Sequence, residues 1–132
     1  MTTELSRLPS ALLIEALVDL EDLAAHWQTV MQPASLDEMA SDLTAIAEMM
    51  QAPVPSGDGM MLYLGALSTM PRPVWKEARN QVVMRHKWPR LPLPADFVEA
   101  GQAEADALAT IGKLIVRAVD KFNRALATAS VQ

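Results

Sequence analysis

Cysteine is missing from this 132-residue sequence, so neither a disulfide framework nor a thiolate metal site is available to it. Histidine is nearly missing too. His26 and His86 are the two present, and neither is followed four residues on by an acid or a second histidine, the spacing that sets two ligands on one helix face. Glycine is scarce and forms no phosphate-cradling loop: Gly57 and Gly59 sit in a proline- and serine-rich run with no lysine close behind. No serine occupies a G-x-S-x-G elbow. The adjacent acids Glu21-Asp22 and Asp37-Glu38 leave a helix on different sides rather than converging on one proton. The chain is therefore expected to be no enzyme, with no catalytic, metal or cofactor-binding residue and no small-molecule substrate.

Long apolar runs are absent as well. None approaches the roughly 20 residues that span a bilayer. Glu4 and Glu15 flank the first hydrophobic stretch, so no secretory leader is predicted and the expected location is cytoplasmic. Aromatics number only six against nine methionines, and half the residues are apolar. That mix favours aliphatic helix packing over a β-sandwich. The length suits one domain, 1–132, with a single core.

What the chain does have is charge sorted by sign. Residues 1–60 carry one basic side chain, Arg7, against ten acids, a net of −9, whereas 61–132 carry ten bases against six acids. Positive charge is densest from Arg72 to Arg90, where Arg72, Lys76, Arg79, Arg85, Lys87 and Arg90 meet only Glu77. Such a split points to a partner of opposite sign, or to the two halves lying against each other.

Apolar spacing predicts an all-α fold of about five helices. Leu13, Leu17, Leu20, Leu23 and Trp27 recur at steps of three and four, from Ser10 until Pro33 stops the helix. Ser35 and Glu38 read as a reciprocal capping box for a second helix bearing Met39, Leu43, Ile46 and Met50, and these two form the acidic half, about 10–51. A short third helix presents Met60, Met61, Leu64 and Leu67. Pro73 suits the first turn of a fourth, about 73–87, with Val74, Trp75, Ala78, Val82 and Val83 inside. The basic helix and a stiff connector with prolines 89, 92 and 94 make up about 72–94. A long C-terminal helix, about 95–128, completes a compact bundle. Its near-heptad seam includes Ile111, Ile115, Phe122 and Leu126, and at about 50 Å it is too long for one small core to cover. A homodimer through those four residues is expected. Gly101 and Gly112 could bend this helix or admit a neighbour closely.

Two further features bear on binding. Trp75 and Trp88 flank the cations of 72–90, an arrangement that can stack bases while the cations neutralise phosphates. The competing account buries the tryptophans and pairs the cations with the acidic half; it is favoured because a net charge of −5 repels a phosphate backbone. Met49, Met50, Met60, Met61, Met70 and Met84 could line an adaptable partner groove, but ordinary core filling is the favoured account.

Within Leu62–Ala100 an ordered pattern stands out: Leu64-x-x-Leu67-x-x-Met70-Pro71, a helix with Trp75, Ala78 and Val82, then Trp88-Pro89 and Pro94-Ala95-Asp96-Phe97. It resembles small helical proteins of phages and prophages associated with replication, of the helicase loader or inhibitor type. The resemblance covers under a third of the chain. It implies a non-enzymatic protein-binding module acting on a larger machine such as a replicative helicase, with Trp75, Lys76, Arg79 and Arg85 on an exposed basic helix. Two other readings are carried beside it. One is a phage inhibitor of host defence, anti-CRISPR-like, whose acids within 15–48 imitate nucleic acid. The other is a DNA-binding replication accessory protein using the basic helix.

Overall fold

In a computed structural model, residues 8–85 and 90–131 are described. They form five helices: α1 (Ser10–Val30), α2 (Leu36–Met50), α3 (Gly57–Leu67), α4 (Arg72–Arg85) and α5 (Pro94–Val131). Among the described residues the sole β-type pairing is an isolated bridge between Pro33 and Pro71. None of these helices is long and apolar enough to cross a membrane. The fold is all-α, with the expected number of helices and a long last one.

The chain divides into two compact units. Val30–Asp106 is one, holding α2, α3, α4 and the first turns of α5. Met1–Thr29 with Ala107–Gln132 is the other, built on α1 and the rest of α5.

In the Val30–Asp106 unit, α2 starts where the Ser35 hydroxyl accepts the Glu38 N–H at 3.0 Å. The capping box is only half made, because the Glu38 carboxylate instead receives the Arg72 guanidinium. The helix ends on Gln51 in the left-handed region (φ 55°, ψ 40°), with the Ala52 N–H reaching back to the Ala47 carbonyl at 2.9 Å. Met39, Leu43, Ile46 and Ala47 turn inward, as do Leu64 and Leu67 of α3. Val74, Trp75, Ala78 and Val82 of α4, and Phe97 of α5, are buried in the same unit. Trp75 and Phe97 are fully buried with ring centroids 5.0 Å apart, and the Tyr63 ring meets Phe97 edge-on. Its hydroxyl donates to the Pro92 carbonyl. Burial, followed by the charge of Asp96, pushes the Tyr63 hydroxyl well above the ordinary tyrosine pKa. Gly101 lets α5 lie directly on α4: a Cβ there would come 2.9 Å from Val74 Cγ1 and 3.2 Å from Ala78 Cβ.

In the other unit Leu13, Leu17, Ile115 and Ala125 are buried. Gly112 provides the close approach here, since its Cβ would lie 3.0 Å from Trp27 Nε1. Trp27 is near the end of α1 and Gly112 near the start of this stretch of α5, so the two helices pack antiparallel.

Candidate protein-docking groove

Beside its buried stripe, α2 carries a second seam at steps of four, three and four: Glu38, Asp42, Ala45 and Met49. The matching seam of α4 runs Arg72, Lys76, Arg79 and Val83 at the same spacing. Both change from charged to apolar along their length, and the change fixes how they meet. Arg72 Nε donates to both Glu38 carboxylate oxygens at 3.1 Å. Asp42 Oδ2 accepts twice, from the Trp75 indole at 2.8 Å and from Arg79 Nη1 at 3.0 Å. Contacts advance in the same direction on the two helices, so α2 and α4 run parallel.

Past the Asp42–Arg79 pair the seam has no more charges to join, and a groove of 530 Å³ opens between the helices. Ala45, Ile46 and Met49 line it from α2, and Asn80, Val83 and Met84 from α4. Met49 is 57% exposed and Met84 79%. Flexible, polarisable methionines of this kind suit an adaptable binding surface, whereas Met39 and Met70 are buried core. The groove thus combines an ion-paired, rigid end with an open apolar end.

The cations of 72–90, expected to bind a partner or nucleic acid, do not gather into one surface among the described residues. Arg72 and Arg79 are held by carboxylates of α2, and the Arg72 guanidinium is held further above its ordinary pKa, chiefly by its hydrogen bond to Glu38. Lys76 is half-buried in the same seam. Arg85 lines a different, 210 Å³ cleft beside Asp96 and Glu99, an acidic neighbourhood unsuited to phosphate. Arg90 is exposed, and Lys87, like His86 and Trp88, lies outside the described residues. Trp75 follows the apolar spacing rather than the resemblance, which implied a place on an exposed basic helix: it is fully buried with its indole N–H on Asp42, turned inward together with Ala78 and Val82.

The acids divide too: Glu15, Asp19, Glu21 and Asp22 of α1 belong to one unit, while Glu38 and Asp42 of α2 are ion-paired within the other. Of the seam on α5, Ile115 is buried, Phe122 and Leu126 are half-buried, and Ile111 is exposed. Met61, expected on the inner face of α3, is 63% exposed, because the inward side of that helix is taken by Leu64 and Leu67, with Tyr63 against Phe97. Sequence reading favours core for Met49 and Met84, with a groove as the lesser account, whereas both are exposed; the ion pairs that frame them it misses. The one available signal was two acids four residues apart, Glu38 and Asp42, against bases spaced by four and three, Arg72, Lys76 and Arg79.

No protein-family model, curated protein sequence or solved structure matches the chain.

Proposed function

We propose that this chain is a non-enzymatic protein-binding module that docks on a larger cytoplasmic assembly by taking one amphipathic helix of its partner into the α2–α4 groove. The observation that carries this reading is the pair of exposed methionines, Met49 and Met84, facing each other across an apolar groove. A helix laid in such a groove recognises through its apolar stripe. Fully burying each methionine side chain is worth about 1.5–3 kcal/mol. Engagement of Arg72 and Arg79 by Glu38 and Asp42 argues against the phosphate-binding alternative, since a nucleic acid would have to displace both carboxylates. The same engagement removes two acids from a nucleic-acid-mimicking surface, which weighs against the defence-inhibitor alternative. The resemblance of Leu62–Ala100 to phage replication-associated proteins makes a replicative helicase the first partner to try.

Fluorescence anisotropy of the labelled chain against a purified bacterial replicative helicase, and separately against single- and double-stranded DNA, tests the reading. Helicase binding that weakens at least about tenfold in Met84→Glu is expected, with no salt-sensitive DNA complex below micromolar concentration. Absence of helicase binding removes the helicase as partner. A sub-micromolar DNA complex indifferent to Met84→Glu overturns the protein-binding reading itself.

A further inference from the structure

The unit built from α1 and the end of α5 leaves a second apolar surface open, remote in sequence from the groove residues. Leu12 and Leu23 of α1 are 48% and 46% exposed, and Ile111 and Leu114 of α5 are 44% and 57% exposed. Each pair belongs to a strict heptad stripe. On α1 the stripe reads Leu12, Ala16, Asp19, Leu23; on α5 it reads Ile111, Leu114, Ala118, Lys121. Leu12 precedes buried Leu13 by one residue, and Leu114 precedes buried Ile115 by one. On antiparallel helices packed face to face, the residue preceding the buried position lies on the same side of the pair. The stripes therefore form one continuous surface, and each contains a single charge, of opposite sign.

The charges also sit at one level. Trp27 lies over Gly112; Asp19 is eight residues before Trp27 and Lys121 nine after Gly112. At 1.5 Å per residue those offsets are about 12 and 13.5 Å along antiparallel axes. The wider charge distribution follows suit: α1 carries four acids and no lysine or arginine, while α5 from Ala107 carries four bases and one acid. Among the described residues no ion pair joins the two sets.

We infer that this surface is where a second copy of the chain docks, forming a two-fold dimer with α1 of each copy across α5 of the other. A two-fold axis parallel to the helices brings acidic helix over basic helix twice without changing level. Asp19 then meets the partner's Lys121, and Asp19 of the partner subunit meets Lys121, inside an apolar frame of leucine and isoleucine. An unrelated partner would need its own acidic and basic helix at matching height; a second copy has them by construction. The single charged position per stripe sets register, as polar residues do in coiled coils. This interface is distinct from one through Phe122, which is half-buried in its own unit.

Sedimentation equilibrium at micromolar concentration decides the matter, with circular dichroism confirming that each variant keeps its helices. The parent chain is expected at twice 14.4 kDa. Asp19→Lys and Lys121→Asp should each weaken dimerisation by roughly tenfold or more, because two like-charge contacts replace two attractive ones. The double reversal, D19K with K121D, should restore it, and Leu114→Glu should abolish it. A monomeric parent, a dimer indifferent to Leu114→Glu, or a double reversal no better than the single ones would each overturn the proposal. So would loss of the dimer on Phe122→Asp with Leu114→Glu silent, which would place the interface on the other seam.

Discussion

Replacing Asp42 with alanine tests how the ion-paired end of the groove is held. Two donors lose their acceptor. The Trp75 indole belongs to a fully buried side chain, so its N–H is left without a partner, at about 1–3 kcal/mol. The Arg79 pair has side chains 30% and 19% exposed, and its loss adds up to about 1 kcal/mol. The total is about 1–4 kcal/mol. For a chain of this length that lowers Tm by on the order of 10 °C. Asp42→Asn is the informative control, because its amide oxygen can still accept the indole N–H and only the ion pair is given up. It should cost about 1 kcal/mol. Urea unfolding followed by circular dichroism measures both. In a Trp75→Phe background the indole is gone, and Asp42→Ala should then cost no more than Asp42→Asn does. Equal destabilisation by Asp42→Ala and Asp42→Asn in the parent would refute the assignment of the larger share to the buried indole.

Gly101→Ala should destabilise by about 1–3 kcal/mol in thermal melts, because the new methyl lies 2.9 Å from Val74 Cγ1 where α5 crosses α4. Gln51→Gly should raise stability by about 1 kcal/mol in urea titrations, since glycine adopts the left-handed conformation at little cost. Tyr63 is the sole tyrosine, so absorbance at the tyrosinate band reads it alone, and its midpoint should lie well above about 10. An unfolded chain releases that proton first. The contribution of Tyr63 to stability is therefore complete below about pH 10 and declines as pH climbs from there towards the folded value.

Helix positions could be read from the sequence because their stops are chemical. Pro33, Pro53 and Pro71 end or separate helices, Ser35 caps α2, and Pro73 sits in the first turn of α4. Core residues at three- and four-residue spacing, such as Leu43 with Ile46 and Trp75 with Ala78 and Val82, followed equally well. Methionines were harder. Periodicity places a residue on a stripe but does not say whether another element covers it, so buried Met70 and exposed Met61 looked alike. The ion pairs were out of reach for a related reason. Glu38 and Arg72 are 34 residues apart, and Asp42 and Arg79 are 37 apart, so each pairing exists only once α2 and α4 lie parallel. Segregated charge announced that acids and bases might meet without telling which would. Division into two units was hidden as well, because α5 is one unbroken helix that contributes to both.

An apolar groove, rather than a cationic face, is the proposed working surface of the chain. Methionine methyl resonances report on it directly, because Met49 and Met84 line the groove while Met39 and Met70 are buried away from solvent. A carbon-13 methyl spectrum of the chain would be titrated first with purified replicative helicase and then, in a separate sample, with a DNA duplex. Helicase is expected to shift or broaden the Met49 and Met84 signals selectively, and duplex DNA at physiological salt to move none. Shifts induced by DNA, or helicase binding that leaves both groove methionines unmoved, would contradict it.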